Sequence, residues 1–281
     1  MNSVIRRSLW SWIALFPLIA GVLFPFAIML FTALKPANEV FVYPAHWLPV
    51  QWQWSNFADM WNRANFGVAL RNSMMISLLS MALSLFVALP AAYALVHFRF
   101  GGKDVYRKFL LVTQMISPIL LVVGLFRLAA MIPYGSGNLV DSKSAVVISY
   151  AAFNVGFAIW MLSSYFETIP RDLEESAWLE GCSRTKAVFK VFLPLAVPAV
   201  VVTAIFTFIN AWNEFAVVYT LIRSAENKTL TVQVTDMVAG KYVVEWQLVM
   251  AATLCATLPV SVIFAWLQRY LVRGLALGAV K

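Results

Sequence analysis

Six apolar stretches, each long enough to cross a bilayer as a helix, constrain this chain more than any other feature. A hydrocarbon core of about 30 Å takes roughly 20 helical residues. The stretches near 9–34, 72–97, 109–132, 144–166, 195–222 and 248–272 all reach that length. Strands this apolar would lack the alternation of a barrel, so every stretch is expected to be helical. The expected fold class is therefore an all-α membrane protein, a single domain over 1–281 with six transmembrane helices. Composition agrees: 62% of residues are hydrophobic and only 12% are charged, where a soluble domain carries about 25%.

Lys and Arg sort by side. With the N-terminus in the cytoplasm, that side receives Arg6, Arg7, Arg99, Lys103, Arg107, Lys108, Arg171, Arg184, Lys186, Lys190, Arg269, Arg273 and Lys281. The outer side receives the smaller set Lys35, Arg63, Arg71, Lys143, Arg223, Lys228 and Lys241. This is the positive-inside pattern with both termini cytoplasmic. It accounts for most of the net charge of +8 without a nucleic-acid partner. Arg6 and Arg7 precede the first stretch, whose apolar run exceeds a secretory signal core of about 7 to 15 residues, so it is expected to be a retained helix.

Pro17, Pro25, Pro90, Pro118 and Pro259 fall inside the stretches, either as kinks around a pathway or as ordinary helix irregularity. The outer segment 35–71 carries Trp47, Trp52, Trp54 and Trp61. Its indoles suit the headgroup region, and contact with an external partner is the other reading. Cys182 and Cys255 stand apart from each other and from any His cluster, which points to neither a disulfide nor a metal.

Between the fourth and fifth stretches lies a polar loop, Glu167 to Pro194. Pro170 suits a helix start, Asp172, Glu174 and Glu175 suit its N-terminal dipole, and Gly181 suits the left-handed residue past its C-terminus. Ser183 is placed to cap a second helix that Pro194 is expected to stop. The result is a helical bracket in which Ala177 permits close approach and Glu175 is available to a cationic partner. An amphipathic connector resting on headgroups has the same composition.

The spacing goes further. Glu175-Ser176-Ala177, three residues, Gly181, nine residues and Val191-Phe192-Leu193-Pro194 resembles the EAA loop of ABC importer permeases, with Ser176 replacing the second alanine and Val191 the isoleucine. A second set resembles the carbohydrate-uptake permeases of the maltose-importer type. It comprises Phe208 to Phe215, Lys228 to Val232, Trp246, Met250 to Ala252, Leu258-Pro259, Gln268-Arg269 and the ending Gly274 to Lys281. The resemblance implies a type I ABC importer permease fold with cytoplasmic coupling helices, in a bacterial inner membrane. It implies that Glu175, Ser176, Ala177, Gly181, Leu193 and Pro194 couple to an ATPase, with Glu175 facing a basic residue there and the tail 273–281 reaching it. It implies four kinds of partner: a second related permease, two nucleotide-binding ATPase subunits holding ATP and Mg, an extracytoplasmic solute-binding protein, and the bilayer. No cofactor is expected in this chain, which has no G-x-x-x-x-G-K-[ST] loop.

A carboxylate within a span is costly unless it faces protein or water, so Glu214, with Asn210 and Asn213 beside it, is a candidate for the solute pathway. Asn210 and Glu214, four apart, are expected on one helix face. The same cluster has a second reading as hydrogen-bonding glue between helices. Arg127 in the third stretch either snorkels to the outer interface or meets an anionic group on the solute. An ion-coupled secondary transporter would need more intramembrane carboxylates and paired broken helices. A membrane-embedded enzyme would need a catalytic group that His46 and His97, far apart in topology, do not supply.

Overall fold

The computed structural model describes residues 2–135 and 137–278. It is helical nearly throughout. The elements are α1 (Asn2–Ala33), α2 (Ser55–Arg63), α3 (Phe66–His97), α4 (Lys103–Gln114), α5 (Pro118–Met131), α6 (Lys143–Phe166), α7 (Asp172–Leu179), α8 (Arg184–Ala187), α9 (Leu193–Asn213), α10 (Ala216–Leu221), α11 (Leu230–Asp236) and α12 (Trp246–Gly278). A two-residue hairpin, β1 (Pro133–Tyr134) against β2 (Gly137–Asn138), precedes α6. Among the described residues five helices are long and apolar enough to cross a membrane, or six when α4 and α5 count as one broken span.

In three of the expected stretches the helix breaks or runs past the expected end. The third, placed at 109–132, is two helices meeting at 95°. Proline disfavours helical backbone at its predecessor, and here Ser117 is extended (φ −67°, ψ 133°) and Pro118 opens α5 at its first turn instead of kinking a continuous helix. The fifth, placed at 195–222, ends at Asn213. Glu214 is extended (φ −71°, ψ 137°), and α10 starts afresh at Ala216. The sixth does not give way to a tail at 273, because α12 continues to Gly278. Lys281 lies outside the described residues. The second begins earlier than expected, at Phe66, and the fourth matches closely.

The chain packs as two compact units. One takes the chain up to Gly67 together with Gln233–Pro259. Its outer segment is tied down by side chains: Asn56 Nδ2 donates to the carbonyls of Ala33 and Lys35, both at 2.8 Å, and so caps the end of α1. Glu39 Oε1 accepts from the Val50 amide at 2.8 Å, and Lys35 donates to the His46 carbonyl. Trp47, Trp52 and Trp54 remain exposed on this segment.

The other unit takes Val68–Val232 with the chain beyond Val260. Here α6 packs on α4 and α9, and α10 packs on α5 and α6. One core cluster uses Ala88, Ala92, Ala158, Ala196 and Ala199 to bring helices close around Leu110, Leu162, Phe166 and Phe192. A second gathers Ile76, Val146, Tyr150, Ala211, Val217, Leu221 and Val232. Hydroxyls in these cores turn back on their own helices, Ser80 onto the Ile76 carbonyl at 2.7 Å and Thr203 onto that of Ala199 at 2.8 Å, which leaves little unsatisfied polarity.

Asp141 fixes the segment that follows α10. Its Oδ1 accepts from the amides of Arg223 (2.9 Å) and Ser224 (3.0 Å) and from the Ser224 hydroxyl (3.0 Å). Burial alone would raise this carboxyl; the bonds from Ser224 and Arg223 outweigh it and hold the group below its ordinary value. Asn72 completes the anchor by donating to the carbonyls of Glu226 (2.7 Å) and Lys228 (2.9 Å).

Candidate functional site

Two regions have the geometry of a site. The first is the loop between α6 and α9. Helix α7 closes with a Schellman motif: the Gly181 amide donates to the Trp178 carbonyl (3.0 Å) and the Cys182 amide to that of Ala177 (2.9 Å), while Gly181 takes φ +89°. Ser183 then caps α8, its hydroxyl accepting from the Lys186 amide at 3.4 Å. These features match the bracket expected from sequence. Pro194, expected to stop the second helix, does not. The chain passes through a π-helical turn, Val188–Phe192, into α9, and this wider turn accommodates a proline that lacks an amide proton.

Glu175, Ser176, Gly181 and Pro194 are exposed, Leu193 is half-buried, and Ala177 turns inward. Beside Glu175 the bracket presents bare apolar side chains, with Leu179 91% and Phe189 68% exposed. A solvated loop has no use for these; a surface to be covered does.

The inward face carries a contact that sequence reasoning assigned only to a helix dipole. Glu174 is buried, accepting from Tyr93 Oη at 2.8 Å and lying 2.8 Å from His97 Nε2. Arg171 donates to the Val96 carbonyl at 2.5 Å, and the Arg184 guanidinium stacks 5.3 Å from the Trp178 ring centre.

The second region is a cavity of ≈ 320 Å³ at the two broken helices, lined by Thr113, Gln114, Ile116 and Pro118 of the α4–α5 break, Tyr150, Phe153 and Asn154 of α6, and Asn210, Ala211, Asn213 and Glu214 at the end of α9. Asn210, Asn213 and Glu214 thus come together. Asn210 and Glu214 do not share a helix face, because the helix ends between them. Arg127 is exposed on α5, nine residues past Pro118, a rise of about 14 Å, and does not line the cavity.

Polar groups in the cavity form a chain. Asn210 Nδ2 donates to Asn154 Oδ1 (3.3 Å), Asn154 Nδ2 to the Tyr150 carbonyl (2.9 Å), and Tyr150 Oη to Glu214 Oε2 (2.6 Å). The Glu214 carboxylate also accepts from the amides of Ala216 (2.8 Å) and Val217 (3.1 Å), so it caps α10. Its oxygens are engaged by the fold, and the rest of the cavity's polar lining is amide and hydroxyl. Thr113, Gln114, Tyr150 and Asn154 were not singled out from sequence. Gln114 and Asn154 carried a signal, as amides within stretches otherwise fit for lipid.

A family model, the binding-protein-dependent transport system inner membrane component, matches residues 3–277. The inner membrane ABC transporter permease protein YcjP of Escherichia coli (strain K12) is 32% identical over 278 residues, 98% of this chain and 96% of its own. The sulfoquinovosyl glycerol transport system permease protein SmoH of Agrobacterium fabrum is 32% identical over 264 residues, 94% and 90% respectively. The fold is shared with a chain of a bacterial ABC transporter involved in the import of the acidic polysaccharide alginate, at TM-score 0.76 and 21% identity, covering 96% of this chain and 98% of that one.

Proposed function

The chain belongs to the family of binding-protein-dependent transport system inner membrane components, the permease subunits of ABC importers, and we propose that the solute it passes is a carbohydrate or sugar derivative. It forms half of the translocation pathway, a second related permease supplying the other half. The observation that carries the solute class is the cavity at the broken helices. Its volume, ≈ 320 Å³, falls within the range of about 300–1,000 Å³ usual for small-molecule sites, and its polar lining apart from Glu214 is uncharged, the carboxamides of Gln114, Asn154, Asn210 and Asn213 and the hydroxyls of Thr113 and Tyr150. Each sugar hydroxyl both donates and accepts, and carboxamides meet both needs without a fixed charge. The alginate and sulfoquinovosyl glycerol systems supply the same class of cargo among similar proteins.

Work is delivered at α7. Its exposed Leu179 and Glu175 support seating in a cleft of a nucleotide-binding subunit, with Glu175 against a cation there and Ser176, Ala177, Gly181, Leu193 and Pro194 shaping the bracket around that contact. Two such subunits bind ATP and Mg and hydrolyse ATP; this chain does not. The loop and both termini then face the cytoplasm, and an extracytoplasmic binding protein delivers the solute from outside. Reconstituting the permease pair with its ATPases and binding protein, and measuring which solutes stimulate ATP hydrolysis, tests the solute class. Stimulation by neutral oligosaccharides supports it; stimulation confined to amino acids or metal ions refutes it.

A second reading rests on Arg127, an exposed cation on an otherwise apolar helix. Placed at the outer approach to the pathway, it suits an anionic sugar derivative.

A further inference from the structure

We propose that Glu174 and His97 form a hydrogen-bonded latch that fastens α7 to the C-terminal end of α3, making the loop and that helix one moving body. The inference rests on the reading of α7 as the ATPase-docking helix. Glu174 is only 3% exposed although it sits on a short surface helix among exposed neighbours. A buried carboxylate is strongly unfavourable unless its oxygens are bonded and its charge is met. Both oxygens are taken, Oε1 by His97 Nε2 and Oε2 by Tyr93 Oη, each at 2.8 Å.

Both imidazole nitrogens have an oxygen partner. Nε2 faces the carboxylate, and Nδ1 lies 3.2 Å from the Tyr93 carbonyl oxygen. Tyr93 and His97 lie one turn apart on α3 with rings stacked at 4.0 Å. Phe192 of the π-helical turn stands edge-on to both at 5.1 Å. Arg171 adds its bond to the Val96 carbonyl. Three points of attachment thus join the loop to one turn of α3. Displacing α7 alone would strand a buried charge, so α3 follows it.

The charged groups around the latch are Arg171, Glu175 and Arg184, which line the same cleft. None of them replaces His97, since Arg171 is bonded to Val96 and Arg184 is stacked on Trp178.

The test uses the complete importer in proteoliposomes, with ATP hydrolysed per solute moved and the amount of ATPase subunit retained as readouts. Glu174→Gln and His97→Ala are expected to keep the ATPase subunits bound and to raise the ATP-to-solute ratio severalfold. His97→Arg, which restores a donor to the Glu174 carboxyl, is expected to bring most of the coupling back. An unchanged ratio in Glu174→Gln, a His97→Arg no better than His97→Ala, or parallel loss of ATPase subunits and activity would each overturn the latch. Should Glu174→Gln not accumulate, Tyr93→Phe decides. It keeps the ring packing and drops one bond, and an intermediate ratio supports the latch where a wild-type ratio overturns it. Leu179→Asp separates the two claims: if it retains the ATPase subunits, the docking reading fails. If it sheds them while Glu174→Gln keeps the wild-type ratio, only the latch fails.

Discussion

Tyr150 on α6 donates its hydroxyl at 2.6 Å to Glu214, which stands in the gap between α9 and α10. The same carboxylate accepts the first amides of α10, and the Glu214 carbonyl accepts from Thr231 Oγ1 at 3.0 Å. One residue therefore joins α6, α9, α10 and α11. Its oxygens are committed to the break at the side of the cavity, and the uncharged amides around it are the groups proposed to meet the solute.

Replacing Glu214 by Ala leaves the amides of Ala216 and Val217 and the Tyr150 hydroxyl without their acceptor. Each stranded buried donor costs about 1–3 kcal/mol, so the melting midpoint of the purified complex should fall together with uptake. Glu214→Gln keeps one acceptor oxygen and should fall less. An Ala variant as stable as the wild type would refute the capping role.

Gly156 on α6 lets Gln114 lie close. A Cβ there would sit 2.6 Å from Gln114 Nε2 and 3.3 Å from Thr113 Oγ1. The amide is the far end of a flexible chain and can swing, but only by leaving its place at the cavity wall. Gly156→Ala should therefore change the apparent KM for uptake severalfold, with ATPase retention unaltered. An unchanged KM would remove Gln114 from the pathway.

Asp141 gives a pH signature. Its carboxyl is held below its ordinary value in the folded chain, so its contribution to stability is fully present above about pH 4 and is lost as pH falls through the depressed value. Asn tolerates the φ of +62° at this position and keeps an acceptor oxygen, removing only the charge. Comparing melting midpoints between pH 3 and 8, Asp141→Asn should be less stable at neutral pH and should lose the difference from wild type in acid. A constant difference across the range would contradict this.

Arg127 discriminates between cargoes. Because it does not line the cavity, Arg127→Gln should leave uptake of a neutral oligosaccharide unchanged and lower that of an anionic one. Loss of neutral uptake would place the residue in the pathway itself.

Much of the fold is legible in the sequence. Span length, the bend at Gly181 and the cap at Ser183 follow from local rules that act within a few residues. The break before Pro118 was harder, since hydropathy averages over a window and an extended Ser117 leaves an apolar run just as apolar. The partners of Glu214 and Glu174 were not legible at all. Tyr150 lies 64 residues from the first and His97 77 residues from the second, and only packing brings such pairs together. Both carboxylates had a local explanation, a polar residue in a span and an acid in a first helical turn, which hid the specific one.

The most direct test of the account is uptake into proteoliposomes holding this chain, its permease partner, the ATPase subunits and the binding protein. The account predicts solute accumulation that requires ATP and survives collapse of ion gradients, with no ATP hydrolysis from the isolated chain. Accumulation that persists without ATP and disappears with the ion gradient, or hydrolysis by the chain alone, would contradict it.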